Sequence, residues 1–139
     1  MGQWTHPAVA CLFRDIPPNW DVQPETLGGA VHLADDAVWR AHGEAKGGLI
    51  ALVREKTGKR LDLERPIIGY ARRMTGYKRA GLLFSDLSRL LEIYRRYPFQ
   101  IVLSGMAHSR DESGKRLIHD IDDRRTMVAS RSPSCPITT

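Results

Sequence analysis

Four cations, Arg72, Arg73, Lys78 and Arg79, fall within eight residues, with Gly76 and Tyr77 among them. Like charges this close repel unless an anion lies between them. The chemistry this cluster suits is therefore anion binding, with phosphate as the leading candidate. Arg can grip a phosphate through two parallel N–H donors while Lys acts as a point charge, and neither has to transfer a proton. The plain alternative is a solvated surface turn.

A cluster of this kind needs a rigid element to hold it. Immediately upstream, Pro66-Ile67-Ile68-Gly69-Tyr70-Ala71 is a short apolar run rich in β-branched and aromatic residues, which reads as a buried strand. A second such run, Phe99-Gln100-Ile101-Val102-Leu103-Ser104, ends at Gly105 and passes into Met106-Ala107-His108. Between them Ser85-Asp86 offers an N-cap to a helix reaching about residue 97, ahead of Pro98, with Leu83, Leu87, Leu90, Leu91 and Tyr94 on one face. A third helix follows over about 111–122, striped by Leu117, Ile118 and Ile121. The order strand, helix, strand, helix predicts a right-handed βαβ unit of a parallel sheet whose strands are buried on both faces. In such sheets ligands lie outside the carboxyl ends of the strands, so the loops 72–79 and 105–111 converge if the two strands are neighbours.

The flanks read differently. Residues 1–33 carry Pro7, Pro17, Pro18, Pro24, Gly28 and Gly29, a density of breakers that leaves room for one short helix over about 7–15, with Trp4, Phe13 and Trp20 as packing anchors. A long helix is expected over 35–57: Asp35 and Asp36 suit its positive end, Gly58 suits its stop, and Val38, Ala41, Ala45, Leu49, Leu52 and Val53 share a face. Trp39 and His42 lie beside that face, and Lys46 at the i+4 position denies His42 a helical metal partner. Gly47-Gly48 calls for a close contact or a bend. Residues 123–139 lose periodicity, are rich in Ser, Thr and Pro, and are expected to be disordered.

At 139 residues the chain holds one moderate core, and 42% hydrophobic with 27% charged residues is ordinary for a globular protein. The net charge of +5 sits mainly in residues 66–79 and in the tail. A basic polyanion- or nucleic-acid-binding module is the second reading of that charge; few aromatics interleave with it, and the helices mix bases with acids. Cys11 and Cys135 have no CxxC or metal-type spacing, and no apolar run approaches the roughly 20 residues a membrane span needs. The expected setting is a reducing cytoplasm, with no membrane partner. There is no GxGxxG after either strand, and Gly58-Lys59 and Gly114-Lys115 lack the rest of a P-loop, so a dinucleotide or nucleoside triphosphate enzyme is disfavoured.

The run ArgArgMetThrGlyTyrLysArgAla at 72–80, LeuLeuPhe at 82–84 and IleValLeuSerGlyMetAlaHisSerArgAspGluSerGlyLys at 101–115 resembles the α-glucan (glycogen, starch or maltodextrin) phosphorylases. AspAspAlaValTrpArgAlaHisGlyGluAlaLys at 35–46 is similar to the preceding segment of their short bacterial members. The resemblance implies a fragment around the start of the C-terminal domain: an incomplete Rossmann-like βαβα unit of a glycosyltransferase B fold, preceded by a long helix and an irregular N-terminal segment. On this reading residues 1–65 connect domains, 66–122 begin the C-terminal Rossmann-like domain, and the frame breaks or ends after about residue 122. The family moves a glucosyl unit from an α-1,4-glucan to inorganic phosphate, giving glucose 1-phosphate, and uses pyridoxal phosphate. The resemblance further implies Arg73 and Lys78 as substrate-phosphate ligands, Arg72 near the cofactor phosphate and Tyr77 on a sugar hydroxyl. Two departures stand out. Gly105-Met106-Ala107 replaces the family's Gly-Lys-Ala, and the lysine motif that holds the cofactor is absent. The chain by itself is expected to be inactive.

Overall fold

The structure, a computed structural model, describes residues 5–16, 19–132 and 134–138. The chain separates into two compact units, Met1–Leu63 and Glu64–Thr139.

In the first unit, helix α1 (Pro7–Leu12) starts with Pro at its first turn and with the His6 ring accepting from the Ala8 N–H, and a 3-10 turn, Phe13–Asp15, follows it. The Phe13 and Trp20 rings meet edge to face at 5.3 Å, so these two anchors pack on each other; Trp4 lies outside the described residues. The breaker-rich stretch also forms an unforeseen nine-residue 3-10 run, Pro24–His32. Helix α2 (Asp35–Thr57) has the expected bounds, with Asp35 and Asp36 in its first turn and Gly58 closing it at φ 71°. Its packing partner is α1. The close contact expected at Gly47-Gly48 is not found: a Cβ at Gly47 would meet nothing within 4 Å, and one at Gly48 would reach the His6 ring at 3.6 Å, an ordinary van der Waals distance. Only part of the apolar face is covered: Ala41 and Val53 are buried, while Val38, Leu49 and Leu52 remain exposed. Trp39 is exposed too, edge to face with His42 at 5.6 Å.

The second unit is mixed α/β. Strand β1 (Ile67–Ala71) and strand β2 (Gln100–Ser104) pair in parallel, Ile67 opposite Gln100 through Ala71 opposite Ser104. Helix α3 (Leu87–Arg96) is capped by Asp86, whose carboxylate accepts from the Arg89 N–H at 2.8 Å, and turns Leu90, Leu91 and Tyr94 into the core. The core gathers Phe84, Phe99, Ile101, Leu103 and Ile121 around these residues, with Phe84 and Ile101 fully buried. The expectation that both strands are covered on both faces holds for β2 and not for β1, an edge strand with Ile68 and Ala71 exposed.

Residues 123–139, expected to be disordered, form regular structure over 123–131 and 137–138. Helix α4 (Glu112–Arg131) runs nine residues past residue 122, and residues 137 and 138 form β3 (Ile137–Thr138), parallel to β2 with Ile101 opposite Ile137. The sheet thus has three strands in the order β1-β2-β3. The physical reason is spacing that a composition reading overlooks. Ile121 and Val128, seven residues and two turns apart, share one buried helical face, and Cys135 and Ile137 enter the same core. Polar ties reinforce it: Arg124 Nη1 donates to the Phe84 carbonyl at 2.7 Å, and Tyr94 O–H donates to the Ser134 carbonyl at 2.5 Å. Among the described residues no helix is long and apolar enough to cross a membrane.

Candidate anion site

The parallel ladder between β1 and β2 does not stop where the strands do. Past Ala71 and Ser104, the Arg72 N–H donates to the Ser104 carbonyl at 3.1 Å, and the Met74 N–H donates to the Met106 carbonyl at 3.1 Å. The loops that follow the two strands are therefore held side by side, as the conditional expectation required. Their approach is so close that only glycine fits at two points. A Cβ at Gly105 would stand 2.1 Å from the Arg72 carbonyl oxygen, and one at Gly114, in the first turn of α4, 2.5 Å from that of Met74. Met74 itself is buried and anchors the middle of the cationic loop in the core.

From that anchor the chain leaves the core and returns to it through two 3-10 turns, Gly76–Lys78 and Ala80–Phe84, with Ala80 and Phe84 buried again. Arg72 and Arg73 lie just before the Met74 anchor, and Lys78 and Arg79 between it and Ala80. Arg72, Arg73 and Arg79 are exposed and Lys78 is half-buried. Tyr77 is 76% exposed, and the Lys78 ammonium lies 4.6 Å from its ring centroid, so these two sequence-predicted residues are brought together. Among the described residues no carboxylate pairs with Arg72, Arg73, Lys78 or Arg79. Arg79 joins the two turns with φ 52° and ψ 39°, a left-handed conformation that costs an L-residue with a Cβ about 1–2 kcal/mol.

The second loop contributes shape and one acid. Asp111 caps α4: its carboxylate accepts from the Gly114 N–H at 2.9 Å and from the Ser113 hydroxyl at 2.6 Å. The Ser113 hydrogen bond first, then the Gly114 N–H, holds its carboxyl below the usual value of 3.8. The positive end of α4 is thus already occupied by the chain's own carboxylate. Met106, where the resemblance leads one to expect Lys, is 80% exposed, and the His108 ring accepts from the Arg110 N–H at 3.2 Å.

Two features escaped the sequence. Gly105 and Gly114 look like ordinary punctuation until the backbone of the other loop is seen against them. Thr75, inside the cationic loop, has its hydroxyl buried with no hydrogen-bond partner among the described residues; nothing in the local sequence marks it, because burial there comes only from folding.

Parallel strands alternating with helices, and a cation-rich loop at the strands' carboxyl ends, define a Rossmann-like α/β unit with a candidate anion site. Sequence comparison narrows the class. The chain is 35% identical to the maltodextrin phosphorylase of Thermococcus litoralis, in an alignment that covers 85% of this chain and 16% of that protein. It is 33% identical to the glycogen phosphorylase of Aquifex aeolicus, covering 84% and 17%, and 36% identical to that of Mycobacterium tuberculosis, covering 85% and 16%. No protein-family model matches the sequence. The chain is homologous to glycogen and maltodextrin phosphorylases over a segment, and spans about a sixth of the length of these curated relatives.

Proposed function

We propose that this chain carries part of the phosphate-binding wall of an α-glucan phosphorylase, with Arg73 and Lys78 as ligands of inorganic phosphate and Tyr77 as a sugar-hydroxyl partner. The observation that carries the reading is the set of cations left, among the described residues, without carboxylate partners on a loop locked to the carboxyl end of a parallel sheet. Holding them there is unfavourable until an anion arrives, and homology to phosphorylases supplies the anion. Their role is electrostatic. Arg73 orients a phosphate through its planar fork, and Lys78, steadied over Tyr77, adds a compact charge; together they fix the dianion beside the positive charge that develops at a glucosyl centre. The substrate class is an α-1,4-glucan, and the proposed setting is the cytoplasm, which suits two free cysteines.

Pyridoxal phosphate, the cofactor that the resemblance implies, is a different matter. Its ring is held through a lysine, and the second unit has two. The Lys78 ammonium stands over the exposed Tyr77 ring, and Lys115 pairs with the exposed Glu112 at 2.6 Å. Both residues are half-buried and engaged with exposed neighbours, and neither fits a covalently held ring. Arg72 is left as the residue placed toward the cofactor phosphate by resemblance, and no step of the reading passes through it.

Two measurements test the proposal. Phosphorus NMR titration of the 139-residue protein with inorganic phosphate should give saturable binding. Arg73→Ala and Lys78→Ala should each weaken it about 10- to 100-fold, the loss of a charged hydrogen-bond partner. The same protein, given maltodextrin, phosphate and pyridoxal phosphate, should make no glucose 1-phosphate. Binding that ignores both substitutions, or nucleic-acid binding with a steep salt dependence in place of phosphate binding, sinks the reading.

A further inference from the structure

Arg79 is the one non-glycine residue among those described with positive φ. Both hydrogen bonds that hold it there belong to the backbone: its N–H donates to the Gly76 carbonyl at 3.1 Å, and its carbonyl accepts from the Leu82 N–H at 3.0 Å. Glycine or asparagine could make the same two bonds with less strain. The Arg79 side chain is exposed, and among the described residues it makes neither an ion pair nor a hydrogen bond. An arginine on an open surface ordinarily needs no explanation. Here the backbone favours another residue type, and no ion pair or hydrogen bond among the described residues accounts for the guanidinium. The same short loop bears a second cost, the buried and unpartnered hydroxyl of Thr75. Tyr70 and Thr138 also bury unpartnered hydroxyls outside this loop, so the weight falls on the left-handed Arg79, an outlier that points from strain toward function.

We propose that Arg79 is a further direct ligand of the anion held by this loop. The inference rests on the phosphate reading above and extends it: the left-handed turn carries a third cation to the anion, after Arg73 and Lys78, at the expense of local stability. A phosphate dianion has oxygens enough for more than one arginine fork, and adding donors from a backbone pinned at Met74 and Ala80 brings them to the anion already ordered.

The test separates strain from binding in the full 139-residue protein. Arg79→Asn tolerates the left-handed region and removes the charge, Arg79→Gly removes the strain outright, and Arg79→Lys keeps the charge without the fork. Melting temperature and phosphorus NMR titration with inorganic phosphate, at fixed ionic strength, are read for each, with Arg73→Ala alongside. The expected result is that Asn and Gly melt no lower than the parent while binding phosphate about tenfold more weakly, with Lys in between. If Asn and Gly bind within about twofold of the parent while Arg73→Ala fails, the Arg79 inference is overturned and the phosphate site stands. If the parent itself does not bind, or Arg73→Ala binds as well as the parent, the phosphate reading falls and takes this inference with it. A melting temperature lowered in both Asn and Gly would also count against it, since that would show the arginine side chain supporting the fold.

Discussion

Met106 occupies the place where the phosphorylase resemblance leads one to expect a lysine, and its main chain is already committed, because its carbonyl accepts from the Met74 N–H. Its side chain points no such obligation inward, being 80% exposed. Met106→Lys should therefore leave the loop pairing intact and tighten phosphate binding about 3- to 10-fold at low salt, with the gain shrinking as ionic strength rises. Equal binding across a salt series would remove Met106 from the site. Asp111 makes a second prediction. Its folded-state carboxyl lies below its ordinary value of 3.8 through the Ser113 and Gly114 hydrogen bonds, so its contribution to stability is complete above that value and is lost as the pH falls through the lower folded value. Acid unfolding followed by circular dichroism should show a shallower dependence below about pH 4 in Asp111→Ala than in the parent. At this scale the residue types were legible in the chain: the cations, the Asp86 cap and the missing lysine all stand in the sequence, while the Asp111 cap became visible only in the structure. The strain at Arg79 was not, since φ depends on where the chain must go to bury Ala80 next.

Gly105 and Gly114 belong to the elements they allow to meet. Because the atoms nearest a Cβ at either site include backbone carbonyl oxygens, relief requires one loop to move. Gly105→Ala should cost about 1–3 kcal/mol and weaken phosphate binding in parallel, by pushing the cationic loop off its neighbour. Stability and binding both at the parent's level would refute the close approach. Tyr94 tests the other end of the same unit, where its hydroxyl ties α3 to the tail and its ring stacks edge to face on Phe99 at 5.5 Å. Tyr94→Phe keeps the ring contact and should lose about 1 kcal/mol in thermal unfolding. The two strands and α2 were readable from apolar runs and helical spacing. The latter half of α4 was obscured by Arg124, Arg125, Ser130 and Arg131, whose polarity masks the two-turn spacing of Ile121 and Val128.

For the molecule as a whole, the strands and helices before residue 122 and the tail beyond it are joined in the core of the second unit. Ile101 is fully buried between β1 on one side and β3 on the other. Removing residues 132–139 should uncover the β2 edge and the core around Ile137, lowering the melting temperature and promoting aggregation through the open strand. A truncated protein that melts like the parent would show the tail to be a passenger.

The sequence by itself determined the kinds of residues at the candidate site, the two principal strands, the three longer helices' starting points and the kinship with phosphorylases, because periodicity, capping and motif identity are local properties. Only the tertiary structure decided that the two loops meet, that glycine must stand at 105 and 114, that Arg79 holds a left-handed turn, and that the tail completes the sheet. The Arg79 turn is held by local hydrogen bonds beside buried Ala80; the other facts arise from backbones brought together across 30 or more positions of chain, where steric exclusion and shared burial act between segments whose separate sequences carry no mark of each other.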